Sequence, residues 1–338
     1  MKGSVTIRDV AKHAGVGVGT VSRVLNDNPS VSDLTRQKVL SAINYLNFSP
    51  SQAARRLSRG KTMAVGVIVP FFTNSSVVKR LQGVVSVLTG SQYDLVLFDV
   101  EETADREDLV KNIIQRELVD GLLIISLQPS DNDVSEILEA NIPAVIVDAD
   151  HRWLSRVIVN NVEAARQATE HLIQLGHHKI GYINDNPNNP FNSAPTHDRY
   201  QGYLQALQDA GIPYQPEYYK QGTLDRAFAR SLAQELLQAH DPPTAVFAYC
   251  DTQAIGVLEA ARDLGLQVPQ ELSVIGFDDI EAAEFWHLTT IHQPLQESGI
   301  KGCQILLDSM NQTYQKKHQI TLSTNLIVRG TTAPPPSG

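Results

Sequence analysis

From Met63 onward, short runs of β-branched and other apolar residues alternate with longer stretches whose apolar residues recur at helical spacing. Because strands that alternate with helices form βαβ units, this order predicts parallel sheets covered by helices. The order occurs twice, so we expect two doubly wound lobes with a ligand cleft at the carboxyl ends of their strands. The first set comprises the strands MAVGVIVP, YDLVLFDV, VDGLLIIS and IPAVIVDAD, with helices near 75–90, 103–116 and 133–140. The second set comprises a helix near 162–175, HKIGYIND, a helix near 197–210, PTAVFAYC, a helix from about Thr252, and ELSVIGFDD.

The charge of the chain is unevenly distributed. The 338 residues, enough for two or three domains, carry a formal net charge of −9. Residues 1–61 hold ten Lys and Arg against three Asp and so carry +7, which leaves −16 for the rest. A basic head on an acidic body indicates a polyanion partner, although a solvated basic face gives the same charge. The spacing of residues in the head has to decide between the two.

Cysteine content and hydropathy exclude several classes of protein. Cys250 and Cys303 are the only cysteines, which excludes a disulfide framework and a cysteine-based zinc ribbon and suits a reducing cytoplasm. No run approaches the ~20 apolar residues of a membrane span, and MKGSVTIRDV lacks the apolar segment of a secretory signal. We therefore expect a cytoplasmic protein with no membrane partner, associated with the nucleoid if it binds DNA.

The basic head has the pattern of three short helices. Thr6 is a suitable N-cap for the first, and Gly15 stands where a helix end favours positive φ. Gly17 precedes a second helix, which Asn26-Asp27-Asn28-Pro29 ends. The third begins near Ser32 and should turn its apolar residues inward: Leu34, Val39, Leu40, Ile43 and Leu46. Three short helices with a glycine-bearing turn form a helix-turn-helix, whose second helix enters the major groove.

In a helix-turn-helix the first turns of the second helix face the base edges. Arg23 offers a bidentate fork to guanine and Val18 an apolar contact to a thymine methyl, while Gly19 presents no side chain. A rival interpretation, a phosphate loop over Gly15–Gly19, fails because no strand precedes it and no GKS/T follows. The predicted DNA-binding residues are Thr6, Val18, Gly19, Thr20, Ser22, Arg23, Asn26, Ser32, Thr35, Ala54, Arg55 and Leu57.

The last three of these belong to the segment SQAARRLSRGKT, which follows Ser49-Pro50. Its helix propensity extends over barely two turns, which are not stable alone in water. The segment is therefore either a basic linker or a helix that folds only on DNA. In the second case Leu57 would insert between base steps of the minor groove.

Four motifs, TIRDVAKHAGV, TVSRVLN, VS..TR.KV..A...L and P..AARRL, resemble the DNA-binding head and hinge of the LacI/GalR family of bacterial transcription regulators. The resemblance covers essentially the whole chain, and the body is similar to the type I periplasmic sugar-binding proteins. It implies an α/β protein with a small all-α helix-turn-helix head (1–49) and a hinge helix (50–61). Two doubly wound parallel-sheet lobes (62–332) would follow, acting as an effector-binding domain and forming a homodimer on a pseudo-palindromic operator.

The resemblance also implies that the chain crosses between the lobes about three times. The N-lobe is then expected at about 62–160 and 293–322, and the C-lobe at about 161–292 and 323–332. A disordered tail is expected at 333–338. Helix 75–90 and the region near 93–116 are candidate dimer surfaces.

Loops after predicted strands carry the candidate ligand contacts. Arg199 precedes Tyr-x-Gly-Tyr, where the family's arginine reaches the effector, and Asp278 resembles the family's effector-binding carboxylate. Arg199 and Asp278 could instead form a structural cross-cleft ion pair, and Phe72 and Trp286 could be rim or core aromatics. Cys250 departs from the asparagine that is frequent in sugar-responsive members. The predicted effector-binding residues are Phe72, Asn74, Ser75, Asp148, Phe191, Arg199, Cys250, Asp251, Asp278, Trp286 and Gln293.

The sequence leaves three classes of function to compare. A ligand-controlled transcription regulator, in particular a repressor, accounts for both the head and the body. An exported solute-binding protein would carry a signal peptide and no basic head, and an enzyme on this fold would need a constellation such as H-E-x-x-H or G-x-S-x-G that the sequence lacks. We expect no catalytic residues, no metal site and no cofactor. The expected effector is a sugar or sugar derivative, with a nucleobase-type or protein corepressor as the alternative.

Overall fold

The computed structural model describes residues 5–26, 28–48, 61–102, 106, 108–191, 193–311 and 317–336. The predicted hinge helix, with Ala54, Arg55 and Leu57, lies outside the described residues. No described helix is both long enough and apolar enough to span a bilayer.

The head contains the three predicted helices, α1 (Ile7–Ala14), α2 (Val18–Leu25) and α3 (Asp33–Leu46). The Asp9 carboxylate accepts hydrogen bonds from the Thr6 amide at 2.8 Å and from Thr6 Oγ1 at 2.7 Å, which begins α1 as a capping box. Gly15 ends it with φ 67°. The head core comprises Val10, Ala11, Val21, Val24, Val31, Val39 and Ala42.

Part of the prediction for α3 is wrong. Leu34 and Leu40 do not point inward but are exposed, at 67% and 46%. Val39 is buried as predicted, together with Ala42, and Ile43 and Leu46 pack partly buried against the head core. At about 100° per residue, Leu34 and Leu40 lie about 140° and about 100° around the helix from Val39 and so turn away from that core.

The N-lobe is built on a parallel six-stranded sheet in the order β11-β5-β4-β3-β1-β2. Its strands are β1 (Ala64–Pro70), β2 (Asp94–Val100), β3 (Gly121–Ile125), β4 (Ala144–Val147), β5 (Ser155–Val159) and β11 (Gln319–Leu322). Its helices are α4 (Ser75–Leu88), α5 (Leu109–Gln115), α6 (Asp131–Glu139) and α12 (Leu295–Asn311).

The C-lobe repeats this architecture in the order β12-β10-β9-β8-β6-β7, with only β12 antiparallel. Its strands are β6 (Ile180–Asp185), β7 (Tyr219–Gly222), β8 (Ala245–Ala248), β9 (Ser273–Asp278), β10 (Thr289–His292) and β12 (Asn325–Ile327). Its helices are α7 (Asn161–Gln174), α8 (Ala194–Asp209), α9 (Arg226–Leu237), α10 (Asp251–Asp263) and α11 (Glu281–Phe285). The predicted α/β class with two doubly wound lobes is confirmed.

The chain passes from one lobe to the other between β5 and α7, between β10 and α12, and between β11 and β12. Close helix contacts within each lobe depend on glycine. A Cβ at Gly299 of α12 would lie 2.0 Å from the Arg80 carbonyl oxygen on α4, and one at Gly202 of α8 would lie 2.2 Å from the Val162 carbonyl oxygen on α7. Each lobe is therefore held as a tightly packed unit, since so close a backbone approach leaves no room for sliding.

The chain enters the N-lobe at a fixed point. The Asp120 carboxylate, just before β3, accepts hydrogen bonds from the amides of Thr62 and Met63, both at 2.7 Å. Met63 adopts the left-handed conformation with φ 57°. Two successive amides are thus attached to one side chain immediately after the linker.

The prediction of a disordered tail is wrong for Ala333, the first residue of that tail. The Ala333 amide donates to Ser273 Oγ at 3.0 Å, and its carbonyl oxygen lies 2.9 Å from His177 Nε2. The buried His177 ring also contacts Thr244 Oγ1 at 2.8 Å. The tail is attached because it supplies the acceptor that a buried imidazole needs.

Candidate effector cavity and DNA-binding face

A cavity of about 520 Å³ lies between the lobes, at the carboxyl ends of both sheets. Its size is ordinary for a small-molecule site. The N-lobe contributes Phe71, Asn74, Ser75, Arg80, Ser126 and Asp148, and the C-lobe contributes Asp185, Phe191, Arg199, Tyr249, Cys250 and Asp278. Gln293, at the crossover between β10 and α12, lines it as well.

Arg199 on α8 is 3% exposed and is surrounded on several sides. Its guanidinium carbon lies 3.7 Å from the centre of the Phe277 ring and 4.3 Å from that of Tyr249. Nη1 donates to the Tyr249 carbonyl at 2.7 Å and Nε to Asn161 Oδ1 at 3.0 Å. Rings on its faces and acceptors at its edge fix the orientation of this cation before any ligand arrives.

Asp278 ends β9 and stands beside Arg199, at 3.8 Å from Nη1 to Oδ1. Both residues belong to the C-lobe, so they do not form the cross-cleft ion pair that was one interpretation of the sequence. Gln293 Nε2 donates to Asp278 Oδ1 at 2.6 Å. Burial raises the pKa of Asp278, against the opposing effects of Arg199, Arg80 and the Gln293 hydrogen bond. Its φ of 112° is strained for a side chain of this kind, and such strain is typical of binding sites.

The N-lobe has a corresponding pair. Arg80 on α4 is 2% exposed, and its Nη2 lies 3.0 Å from Asp148 Oδ2 and 3.4 Å from Gln293 Oε1. Ser126 Oγ donates to Asp148 Oδ2 at 2.8 Å. Arg80 Nε is buried with no hydrogen-bond partner among the described residues. Through Gln293 these contacts form a continuous polar chain from Asp148 in the N-lobe to Asp278 in the C-lobe.

An aromatic wall closes one side of the cavity. Phe71 in the turn after β1 meets Phe191 edge to face, with ring centres 5.1 Å apart. Phe71 has φ 49°, and the following amide of Phe72 donates to Asp99 Oδ1 at 3.0 Å. That turn leaves Phe71 on the cavity and Phe72 outside it, 42% exposed.

Three predicted effector residues are corrected by the structure. Phe72 does not line the cavity, for the reason just given. Asp251 is fully buried, where it accepts from Thr290 Oγ1 and from the Ile280 amide at 2.9 Å, and so supports the loop after β9. Trp286 packs against the C-lobe core. The other eight predicted residues, Asn74, Ser75, Asp148, Phe191, Arg199, Cys250, Asp278 and Gln293, line the cavity.

Cys250 is a buried wall residue, and burial raises the pKa of its thiol. A neutral thiol packs as a small apolar group and is a poor nucleophile. Among the described residues, no group of three or more His, Cys, Asp or Glu side chains is placed to hold a metal ion.

The lining residues that sequence reasoning missed include Phe71, Arg80, Asp185 and Tyr249. Asp185 and Tyr249 stand at strand ends that were predicted, so their position was an available signal. Arg80 carried no such signal, because an arginine beside Lys79 in a helix has the pattern of a solvated face.

The N-terminal part of α2 forms an open face of the head. Val18 is exposed, as are Gly19, Arg23 and Asn26, whereas Thr20 and Ser22 are half-buried. At the start of α3, Ser32 Oγ and Thr35 Oγ1 lie 2.9 Å apart. Thr6 is exposed at the start of α1, although Asp9 engages its hydroxyl. No side chain of the head core blocks the access of a DNA groove to α2, since Val21 and Val24 point the other way.

Fold and site together define a two-lobed small-molecule-binding body attached to a helix-turn-helix head, the design of a ligand-responsive DNA-binding regulator. Residues 6–51 match the family described as bacterial regulatory proteins, lacI family, and residues 169–332 match a periplasmic binding protein-like domain. The chain is 33% identical to the HTH-type transcriptional repressor PurR of Vibrio vulnificus (strain CMCP6), over 96% of this chain and 98% of the relative. It belongs to the LacI family of bacterial transcription regulators.

Solved structures agree with this assignment. The lac repressor dimer bound to operator and the anti-inducer ONPF has a TM-score of 0.84 at 28% identity, covering 98% of this chain and all of that one. The transcriptional regulator CelR, in complex with cellobiose, has a TM-score of 0.72 at 29% identity, covering 97% and 99%. These matches extend over head and body alike.

Proposed function

We propose that this chain is a transcriptional repressor that binds operator DNA as a homodimer and is controlled by an uncharged, hydroxyl-rich small molecule of the sugar class in the cavity between its lobes. It works in the cytoplasm, where its DNA partner lies, and it catalyses no reaction. The observation that carries the ligand class is the charge of the cavity wall.

Four aspartates, Asp148, Asp185, Asp225 and Asp278, and two arginines line the described part of the cavity, a formal charge of −2. Both arginines already have acceptors, Arg80 at Asp148 and Arg199 at the Tyr249 carbonyl. A phosphorylated or carboxylated ligand would add negative charge to a wall that already carries a net negative formal charge, which is a costly burial. Hydroxyl groups donate to carboxylates at little cost, which favours a neutral polyol.

The aromatic wall supports a second ligand class. Phe71 and Phe191 present ring surfaces on which either a sugar ring or a nucleobase could stack. A nucleobase would also donate N–H groups to Asp278. CelR was solved with cellobiose, which supports the sugar for a relative of this fold.

A panel experiment separates these classes. Thermal stability of the purified protein is measured with ribose, cellobiose, glucose 6-phosphate and hypoxanthine, because a ligand that binds the folded state raises the melting temperature. A neutral sugar should stabilise the wild type but not Asp278→Asn. Stabilisation by glucose 6-phosphate alone would contradict the charge argument, and stabilisation by hypoxanthine alone would select the second class.

We propose that α2 reads the operator through Arg23, with Val18 and Gly19 against the bases, and that the linker residues Ala54, Arg55 and Leu57 add contacts. The exposed position of Arg23 supports this role. On an operator selected from random DNA, Arg23→Ala should cost about 1–3 kcal/mol and relax specificity at one base pair. Lys38→Ala, an exposed residue of α3, is the matched control and should weaken selected and random DNA equally. Equal weakening by Arg23→Ala would make it a phosphate contact.

Exposed apolar residues support the homodimer. Val78 and Val85 on the outer face of α4, Leu97 on β2 and Phe285 on α11 are all exposed, Phe285 at 84%. Such residues on adjoining elements are typical of an interface. A Val85→Asp, Phe285→Asp double variant should sediment as a monomer, whereas an unchanged sedimentation coefficient would place the interface elsewhere.

A further inference from the structure

The segment Asn186–Phe191 leaves the end of β6 in the C-lobe but packs on the N-lobe. Phe191 is 7% exposed, and its ring lies within the N-lobe core cluster that includes Ile68, Val100 and Leu127. Its ring also meets Phe71 edge to face. A residue of one lobe therefore occupies a socket in the other.

Backbone hydrogen bonds hold the segment there. The Gln128 amide of the N-lobe donates to the Phe191 carbonyl at 2.7 Å. Arg106 Nη1 donates to the Pro190 carbonyl at 2.7 Å, and Nη2 donates to the Gln128 carbonyl. The Arg106 guanidinium thus bridges the carbonyl of Pro190 in the C-lobe segment and that of Gln128 in the N-lobe.

The segment is stiff and attached to its own lobe. Asn189 Nδ2 donates to Asp185 Oδ2 at 2.9 Å, and the Phe191 amide donates to Asn189 Oδ1 at 2.9 Å. The Asn189 amide donates to the Asn186 carbonyl at 2.9 Å. Because these contacts keep the segment on the C-lobe, separating the lobes requires Phe191 to leave its socket.

We propose that Asn186–Phe191 is a latch that holds the cleft closed without a ligand, and that Arg106 is its positioning residue. The latch carries Asn189 and Phe191 on the cavity wall, whereas Arg106 does not line the cavity. A residue outside the cavity wall therefore contributes to closure together with Phe191. The inference rests on the proposed function only in treating the cavity as the effector site.

The test needs no ligand. Spin labels at Glu139→Cys and Gln238→Cys, exposed at the outer ends of α6 and α9, report the distance between the lobes by pulsed electron resonance. Hydrogen exchange of the Gln128 amide reports whether its hydrogen bond to the Phe191 carbonyl is intact. In the unliganded protein, with labelled chains diluted by unlabelled ones, we expect one narrow distribution of the distance within a subunit and a protected Gln128 amide.

Arg106→Gln should broaden the distribution toward longer distances and speed exchange of the Gln128 amide by about 10-fold or more. Phe191→Ala should act in the same way. Arg116→Gln, which changes an exposed arginine of the same lobe, should alter neither measurement. Urea unfolding of each variant verifies that the lobes remain folded.

An unprotected Gln128 amide in the wild type would overturn the latch, as would a wild-type distance distribution in both Arg106→Gln and Phe191→Ala. If only Phe191→Ala opens the cleft, the assignment of Arg106 is overturned. Failure of every compound in the ligand panel would affect the proposed effector and leave these measurements unchanged.

Discussion

Both lobes place a buried arginine and an aspartate at the cavity, but the arginine of the C-lobe is held by more contacts than that of the N-lobe. Each supplies a buried arginine and an aspartate at positive φ after a strand: Arg80 with Asp148 in the N-lobe, and Arg199 with Asp278 in the C-lobe. Arg199 is held by two rings, a carbonyl and an amide oxygen. Arg80 depends on Asp148 and Gln293, and its Nε has no partner in the described structure.

This difference separates a preformed half-site from an adjustable one. A cation whose orientation is fixed by its surroundings binds the same group in the same place each time. A cation with an unused donor gains from any acceptor that reaches it. We infer that the C-lobe sets ligand orientation and that the N-lobe responds to it.

The largest effect expected from this comparison is on stability. Arg199→Met should lower the free energy of unfolding by about 3–5 kcal/mol, because it leaves Asp278 buried beside an apolar chain. Arg80→Met should cost less, about 1–3 kcal/mol, since one of its donors is already unsatisfied. Urea unfolding of both variants measures the difference. Equal losses would show that the two arginines are supported alike.

Ligand affinity should follow the same order. Asp278→Asn should weaken binding of the panel compound that stabilises the wild type by about 10- to 100-fold, since hydrogen bonds to a charged group contribute ~1.5–3 kcal/mol. Asp148→Asn should have the smaller effect, because its carboxylate is shared with Arg80 and Ser126. Calorimetry measures both, and a reversed order would assign ligand orientation to the N-lobe.

The aromatic wall gives a smaller contrast within the N-lobe. Phe71→Ala should weaken binding of the same ligand by about 0.5–1.5 kcal/mol, which is what an aromatic ring contact contributes beyond its buried area. Its neighbour Phe72→Ala, exposed and off the cavity, should change affinity by less than ~0.5 kcal/mol. A larger effect at Phe72 would mean that the turn after β1 rearranges on binding.

The smallest effect expected concerns pH and is confined to the C-lobe. Burial raises the pKa of Asp251, so this carboxyl retains its proton in the folded state above the ordinary value of 3.8. From 3.8 up to the raised pKa the folded state binds more protons, and this group therefore makes stability fall as pH rises.

Asp251→Asn should remove that contribution, because an amide does not titrate. The variant should still fold, since the amide can accept from the Ile280 N–H and donate to Thr290 Oγ1. Buried His177, whose pKa is lowered by burial, gives the opposite slope below 6.5, as the unfolded state takes up its proton first. The difference between wild-type and variant unfolding across pH isolates Asp251. Identical profiles would show that Asp251 titrates normally.

Periodicity predicted the body well, because a buried parallel strand needs a continuous apolar run and β1, β3 and β9 have one. It missed β5, β7, β10, β11 and β12, which are five residues long or shorter. Such short strands form because a neighbouring strand pairs with their backbone, and the pairing partner cannot be found from a local pattern.

The site was predictable where a residue follows a predicted strand, as Asp148 and Asp278 do. The choice between Phe71 and Phe72 was not, since it depends on one positive φ and one hydrogen bond to Asp99. Predicting Arg80 required knowledge of which face of α4 meets Asp148 and Gln293. That is a tertiary fact rather than a pattern in the chain.

The two hydrogen bonds from Thr62 and Met63 to Asp120 have a mechanical consequence. A chain attached at a single point swivels, whereas one attached through two successive amides leaves in a fixed direction. Any rotation of the N-lobe therefore carries the backbone of Thr62 and Met63 with it as part of the same rigid unit.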